Sequence, residues 1–98
     1  MAYRLTNKAA DDLIHVYVEG VRLFGVAQAE KYYTELEERF ELLAFNPHMA
    51  RERQELIPPV RINPFISHVI VYQIEDDDDV LIIRVRHGRE DWINNPVG

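Results

Sequence analysis

The residues best suited to charged recognition lie together late in the chain, in the segment from Arg84 to Trp92. This segment contains three arginines, one histidine and two acidic residues within nine positions. An arginine guanidinium is a planar fork that binds a carboxylate or a phosphate through two parallel hydrogen bonds. Gly88 frees the backbone directly after the basic run. The pattern predicts a site for an acidic partner group, and a solvated strand end is the alternative interpretation.

The net charge of the chain limits which classes of molecule this segment can bind. The formal charge is −6, which argues against a general grip on a nucleic acid backbone. Five acidic residues form one block from Glu75 to Asp79, so the rest of the chain is nearly balanced. We interpret the block as a solvated turn and not as a cation site, because it lacks ligand spacing and a glycine-bearing loop. Nine of the eleven basic residues are arginines, so a local basic site remains possible.

Other catalytic chemistries lack their motifs in this sequence. There is no cysteine, which excludes a disulfide framework, a thiolate zinc site and a cysteine nucleophile. No GxSxG elbow, glycine-rich phosphate loop or HExxH helix occurs. The four histidines, His15, His48, His68 and His87, lie on different predicted elements. We therefore expect no metal site and no cofactor.

The length of 98 residues predicts one domain, spanning residues 1–98. The apolar fraction of 47% is typical of a folded globular chain. No apolar run approaches the roughly 20 residues that span a bilayer, and the first residues lack the apolar stretch of a signal peptide. We expect a cytoplasmic protein that does not associate with membranes.

Two helices are predicted in the first half of the chain. Thr6 is a suitable N-cap, and apolar residues recur at helical spacing from Ala10 to Phe24. Gly25 then marks a helix end, and a second apolar pattern runs until Asn46 and Pro47 stop it. Helices joined this tightly form an antiparallel hairpin.

The remaining elements are predicted strands, rich in β-branched residues. They cover Tyr3 to Leu5, Val60 to Asn63, Ser67 to Ile74 and Val80 to Arg86, and the acidic block turns the chain between the last two. The predicted order is β-α-α-β-β-β. This is an α+β domain in which the helix hairpin packs on one face of a small, mainly antiparallel sheet.

Side-chain alternation along the last strand predicts which residues face the helices. Leu81, Ile83 and Val85 are assigned to the helix side, and Val80 and Ile82 to the opposite face. Alternation also assigns Arg84 and Arg86 to that opposite face, about 6.6 Å apart, and Arg61 is expected to join them there. Arginines among valines and isoleucines on a sheet face indicate a surface that another chain covers.

These motifs, taken in order, resemble the ParE branch of the RelE/ParE superfamily of bacterial toxins. No single motif is specific, but the ordered set covers nearly the whole chain. The matching residues are Tyr3-Arg4-Leu5-Thr6, Ala10, Asp12-Leu13, Phe24-Gly25, Ala29, Asn46-Pro47, Arg61, Ser67-His68-Val69-Ile70-Val71-Tyr72, Ile83-Arg84-Val85-Arg86-His87-Gly88-Arg89 and Asp91.

The resemblance implies a toxin of a type II toxin–antitoxin system that inhibits DNA gyrase and traps cleaved DNA, without catalysis of its own. It also implies neutralisation by a ParD-like antitoxin, whose dimer would bring at least two toxin chains together. DNA would be contacted only through the antitoxin or gyrase. Carried over residue by residue, the target- or antitoxin-binding positions are Arg61, Arg84, Arg86, His87, Arg89, Asp91 and Trp92.

Two other functions remain as alternatives. A RelE-type, ribosome-dependent messenger RNA endoribonuclease would need a base, an acid and cations, for which Glu52 or Glu55, His87, Arg61 and Arg86 are the candidates. However, no lysine follows Lys31 and no tyrosine follows Tyr72, so the acid–base residues common near the carboxyl end of such enzymes are missing. The second alternative is a binding module that retains its antitoxin but has lost toxicity.

Overall fold

A five-stranded mixed sheet with two helices on one face forms the architecture, seen in a computed structural model that describes residues 2–98. The strand order is β1-β5-β4-β3-β2, with β1 parallel to β5 and all other neighbours antiparallel. The predicted α+β class and element order are confirmed, with one short additional strand, β2. In chain order the elements are β1 (Tyr3–Leu5), α1 (Asn7–Phe24), α2 (Val26–Phe45), a 3₁₀ turn (Pro47–Met49), β2 (Glu52–Arg53), β3 (Val60–Phe65), β4 (His68–Ile74) and β5 (Val80–His87).

Local signals fix the ends of the helix hairpin. The Thr6 hydroxyl accepts a hydrogen bond from the Ala9 amide at 3.0 Å, and it donates one to the Ile83 carbonyl at 2.7 Å. Thr6 therefore caps α1 and also attaches it to β5. Gly25 ends α1 with a φ of 90°, a backbone conformation that side chains with a Cβ rarely adopt. The predicted hairpin of α1 and α2 is confirmed.

The main core lies between the helices and the sheet. Leu36, Phe40 and Leu43 of α2 are completely buried against Ile70 and Tyr72 of β4. The Tyr72 hydroxyl donates a hydrogen bond of 2.9 Å to the Pro47 carbonyl, so this buried polar group is satisfied. The contact also fixes the loop that follows α2.

A β-bulge in β5 changes the predicted alternation of its side chains. Val71 of β4 pairs with Arg84 while the next residue, Tyr72, pairs with Ile82, so Ile83 is an extra residue. The bulge reverses the alternation for the residues before it. Val80 and Ile82 consequently face the helices and Ile83 faces away, which is the opposite of the prediction for all three residues.

The sheet face opposite the helices is covered by the chain itself. A second apolar cluster there consists of Leu56, Val60, Ile62, Val69 and Val71. After β5 the chain turns back over this cluster, and the side chains of Trp92 and Val97 pack on it. Trp92 therefore packs against the sheet, whereas Ile93 remains 56% exposed.

Candidate functional site

Arg84, on the sheet face away from the helices, is paired with a carboxylate of α1. Its Nε and Nη2 atoms lie 2.7 and 2.9 Å from the two oxygens of Asp12. The Val85 amide donates to the same carboxylate at 3.0 Å. The hydrogen bonds to Asp12 raise the pKa of Arg84 above its ordinary value. This bidentate pair attaches α1 to the exposed edge of β5.

Arg86, also on that face, is buried among residues that follow β5. Its Nε donates to Glu90 at 2.7 Å, and its Nη1 donates to the Asn95 carbonyl at 2.8 Å. Glu90 also accepts a 2.9 Å hydrogen bond from the His87 amide. Burial acts to raise the pKa of Glu90, but the bonds from His87 and Arg86 outweigh it and lower that pKa.

The two β5 arginines therefore bind groups of their own chain. Arg84 completes its set with a 2.8 Å hydrogen bond from Nη1 to the Gly98 main-chain oxygen. Acidic partners of both arginines, Asp12 and Glu90, were not assigned by the sequence analysis. The sequence shows that arginines and acidic residues are present, but only the fold shows which arginine binds which carboxylate.

Arg61 lies apart from Arg84 and Arg86, contrary to expectation. It belongs to β3, which is separated from β5 by β4, and it pairs across the strands with the helix-facing Tyr72. Its Nη1 donates to the Ala50 carbonyl at 2.5 Å. The prediction that Arg61 joins the other two arginines was wrong because the sheet separates them.

His87 faces the helix side, in contact with a second histidine. The rings of His87 and His68 pack edge to face with their centroids 5.2 Å apart. The Tyr32 hydroxyl of α2 lies 2.7 Å from Nδ1 of His68, and the Arg89 amide donates to Nδ1 of His87 at 3.1 Å. Burial, and next the proximity of His87, lower the pKa of His68. The sequence did not predict that Tyr32 and His68 lie next to His87.

Arg89 and Asp91 lie in the exposed turn after β5. Asp91 accepts hydrogen bonds from the Asn94 side chain at 3.0 and 3.1 Å. Within residues 2–98 the Arg89 guanidinium forms neither an ion pair nor a hydrogen bond, whereas those of Arg61, Arg84 and Arg86 each donate to groups of the same chain. Arg89 is therefore the predicted site arginine that is free to meet another molecule. The Trp92 ring packs beside this turn on the second apolar cluster.

An apolar groove of about 490 Å³ lies beside residues 10–17 of α1, between Leu5 of β1 and Tyr33 of α2. Apolar residues recur along α1 from Ala10 to Phe24, but of the residues of this helix only Ala9 and Leu13 are buried. Ile14 and Val18 are each more than half exposed. The sequence signal for this groove was that the apolar residues of α1 cover more of the helix surface than the part that packs on the core. The groove is lined by Leu5, Ala10, Leu13, Ile14, Tyr17 and Tyr33.

No group of three or more histidine, aspartate or glutamate side chains within residues 2–98 is arranged to hold a metal ion. Neither of the described helices combines the length and apolar character needed to cross a bilayer.

The chain is similar to known proteins over most of its length. Residues 3–92 match the family described as the ParE toxin of the type II toxin–antitoxin system parDE. A toxin ParE1 of Caulobacter vibrioides is 34% identical over 85 residues, which cover 87% of this chain and 86% of that protein. A toxin ParE1 of Mycobacterium tuberculosis is 34% identical over 72 residues, covering 74% of both chains.

A solved structure shares the fold. A chain from a structure titled as the chromosomal ParDE system of P. aeruginosa superposes with a TM-score of 0.76. The match covers 89% of this chain and 95% of that chain at 24% sequence identity. The helix hairpin on a mixed sheet is therefore an architecture already seen in an experimental structure.

Proposed function

The chain belongs to the ParE toxins of type II toxin–antitoxin systems, and from this membership we propose that it arrests growth by inhibiting DNA gyrase. Gyrase would be held with its DNA cleaved, and a ParD-like antitoxin would neutralise the toxin by direct binding. An antitoxin dimer would bring together at least two toxin chains. The observation that carries the proposal is the family match over residues 3–92, which includes the helix hairpin and the turn directly after β5.

The turn after β5 is the proposed gyrase-binding surface. Arg89 presents an unpaired guanidinium there, and Asp91 and Trp92 are its neighbours. An exposed arginine beside an aromatic ring is typical of residues that dominate protein interfaces. His87 and Arg86 position the turn from opposite faces of β5: His87 accepts a hydrogen bond from the Arg89 amide, and Arg86 donates one to Glu90. In this proposal the exposed residues contact the target and the buried ones hold them in place.

The groove on the helix hairpin is the proposed antitoxin-binding surface. Ile14 is 61% exposed and Val18 is 58% exposed, one helical turn apart on α1. Contiguous exposed apolar side chains mark interaction sites on soluble proteins. An amphipathic antitoxin helix could bury this strip by placing its own apolar face in the groove.

The arrangement gives little support to the ribonuclease alternative. Its proposed cations, Arg61 and Arg86, lie on opposite faces of the sheet and are bound to Ala50 and to Glu90. His87 uses Nδ1 to accept the Arg89 amide. These groups cannot converge on one phosphate without rebuilding the sheet, so we propose a toxin without catalysis of its own.

Expression in bacteria that lack the antitoxin tests the proposal. Growth, covalent gyrase–DNA complexes and messenger RNA integrity would be measured in the same cultures. We expect arrest with trapped complexes and intact messenger RNA. Arrest with cut messenger RNA would instead support the ribonuclease. Normal growth with folded protein present would support the non-toxic binding module.

A further inference from the structure

Glu90 lies at the centre of the turn after β5, although it was not among the predicted site residues. Its amide donates to the His87 carbonyl at 2.9 Å and closes the turn that contains Gly88 and Arg89. Its carbonyl accepts the Trp92 amide, also at 2.9 Å. The main chain of Glu90 therefore connects the end of β5 to both Arg89 and Trp92 of the proposed gyrase-binding surface.

The Glu90 carboxylate turns back to β5, and both of its oxygens are engaged there. Oε1 accepts the His87 amide at 2.9 Å, and Oε2 accepts Nε of Arg86 at 2.7 Å. His87 is the last residue of β5, whereas β1 pairs only with the first three residues of that strand. Within residues 2–98 no strand accepts the His87 amide, so the side chain of Glu90 takes that place.

Each amide of the turn has a partner, and His87 supplies two of these partners. The Gly88 amide donates to the Ser67 carbonyl at 2.8 Å. The Arg89 amide donates to Nδ1 of His87 at 3.1 Å, and the Glu90 amide donates to the His87 carbonyl at 2.9 Å. Because the Glu90 carboxylate holds the His87 amide in turn, the conformation of His87 and that of the turn depend on one another.

The contacts of Glu90 also keep it away from the guanidinium of its neighbour. Glu90 directly follows Arg89 in the chain, yet its ion pair within residues 2–98 is with Arg86. A Glu90 carboxylate released from β5 would be an anion close to Arg89, and it would compete with any target group for that guanidinium. Glu90 therefore shapes the turn and leaves Arg89 available to another molecule.

We propose that Glu90 is a positioning residue of the gyrase-binding surface: by accepting the His87 amide, its carboxylate fixes the turn that presents Arg89 and Trp92 to the target. The inference rests on the proposed function for the identity of the target. Glu90 acts through its neighbours, because both of its carboxylate oxygens already have partners. A surface fixed before binding loses less conformational freedom when the complex forms, and this raises affinity.

Two substitutions separate the His87 contact from the ion pair with Arg86. Glu90→Gln and Glu90→Ala both remove the charge that faces Arg86, so they share the loss of stability that this charge causes. The glutamine oxygen still accepts the His87 amide, whereas alanine has no acceptor in its side chain. Glu38→Ala is the matched control, because Glu38 is an exposed glutamate of α2 without a hydrogen bond or ion pair within residues 2–98.

Titration of purified gyrase and plasmid DNA with each toxin gives the concentration at which half of the maximal cleaved DNA is trapped. Thermal melting in the same buffer shows that each variant is folded. We expect Glu90→Ala to need at least about fivefold more toxin than wild type, and Glu90→Gln and Glu38→Ala to stay within about twofold of it. Equal potency of Glu90→Ala and wild type, or an equal loss in both Glu90 variants, would overturn the inference. A wild-type toxin that traps no cleaved DNA would instead contradict the proposed function.

The free toxin offers a second readout that does not depend on gyrase. Trp92 is the single tryptophan, so its indole N–H gives one resonance in a ¹H–¹⁵N spectrum. The Glu90 carbonyl accepts the Trp92 amide, so a change in the turn reaches the ring. We expect the resonance to move in Glu90→Ala and to stay near its wild-type position in Glu90→Gln. A resonance that does not move in Glu90→Ala would contradict the positioning role.

Discussion

Asp12 accepts more hydrogen bonds in the candidate site than any other side chain. One carboxylate binds the Arg84 guanidinium through two atoms and also accepts the Val85 amide. The side chains of Asp12 and Arg84 are only 14% and 15% exposed. A pair this deeply placed is sensitive to the loss of one member, because the other charge is then left without a partner.

We predict that Asp12→Asn lowers the free energy of unfolding by about 2 kcal/mol, since an uncompensated Arg84 remains while the amide oxygen still accepts Val85. Urea unfolding followed by circular dichroism measures the change. Asp11→Asn is the matched control, because Asp11 is the exposed neighbour on α1. Equal stability of the two variants would contradict the importance given to the Asp12 contacts.

The buried histidine predicts a pH dependence of stability. The pKa of His68 lies below its ordinary value of 6.5 because of burial and then of His87, against the opposing fields of Glu90 and Asp12. Above pH 6.5 the ring is neutral in both the folded and the unfolded chain. Below pH 6.5 the unfolded chain takes up a proton that the folded chain resists, so stability falls as pH decreases toward the folded pKa.

We therefore expect the melting temperature of wild type to fall more between pH 7.5 and pH 5.5 than that of His68→Gln. Glutamine keeps a polar group near the Tyr32 hydroxyl, which contacts His68 in wild type. Differential scanning calorimetry of both proteins at the two pH values makes the comparison. Parallel decreases would show that other groups determine the pH dependence.

At the scale of elements, α1 and β5 are joined by side chains at two points. Thr6 caps the first turn of α1 and donates to Ile83, and Asp12 reaches β5 one and a half turns later. Threonine caps are common, but this one also satisfies a carbonyl at the bulge of β5. Thr6 therefore stabilises the start of α1 and also fixes the position of the helix relative to β5.

We predict that Thr6→Ala lowers the free energy of unfolding by about 1 kcal/mol, as expected for loss of a helix cap. Thr6→Ser keeps the hydroxyl and should restore most of that stability. Chemical denaturation of the three proteins provides the measurement. If serine is no better than alanine, the methyl group and not the hydroxyl accounts for the effect.

The limits of sequence prediction are clearest in β5. Its start at Val80, the turn of the acidic block, and the α1 and α2 patterns follow from local composition, and these were predicted correctly. The strand ends at His87, one residue later than predicted. The bulge at Ile83 was not predicted. In a run of valines and isoleucines, no residue type distinguishes the extra residue of a bulge from its neighbours. That one residue decides that His87 lies opposite His68. The contacts of Arg84 with Asp12, 72 residues away in sequence, likewise required the fold.

At the scale of the whole molecule, the sheet has two differently covered faces. The helix hairpin buries one face, and the short segment after β5 and the loop residue Leu56 cover the other. The hairpin in turn keeps an outward apolar strip that nothing in residues 2–98 covers. Large apolar exposure in an otherwise charged chain is consistent with a toxin that is completed by a partner.

We predict that Ile14→Glu weakens antitoxin binding at least tenfold and leaves the stability of the toxin nearly unchanged, because the side chain is 61% exposed in the free protein. Calorimetric titration and thermal melting separate the two effects. His15→Glu adds a comparable charge at the next, also exposed position and serves as the control. Unchanged affinity of Ile14→Glu would remove the groove from the antitoxin interface.

The hydrogen bonds along the outer side of β5 have a consequence for self-assembly. Beyond its pairing with β1, this strand would offer the Val85 and His87 amides as a template for strand addition, but Asp12 and Glu90 accept both of them. At the opposite edge β2 is only two residues long, and Pro64 of β3 has no amide hydrogen. The part of β5 beyond β1 and the border at β2 therefore do not readily accept a strand from another copy of the toxin. The carboxylates of Asp12 and Glu90, which hold the two arginines of β5, thus also protect this part of the strand from cross-β pairing.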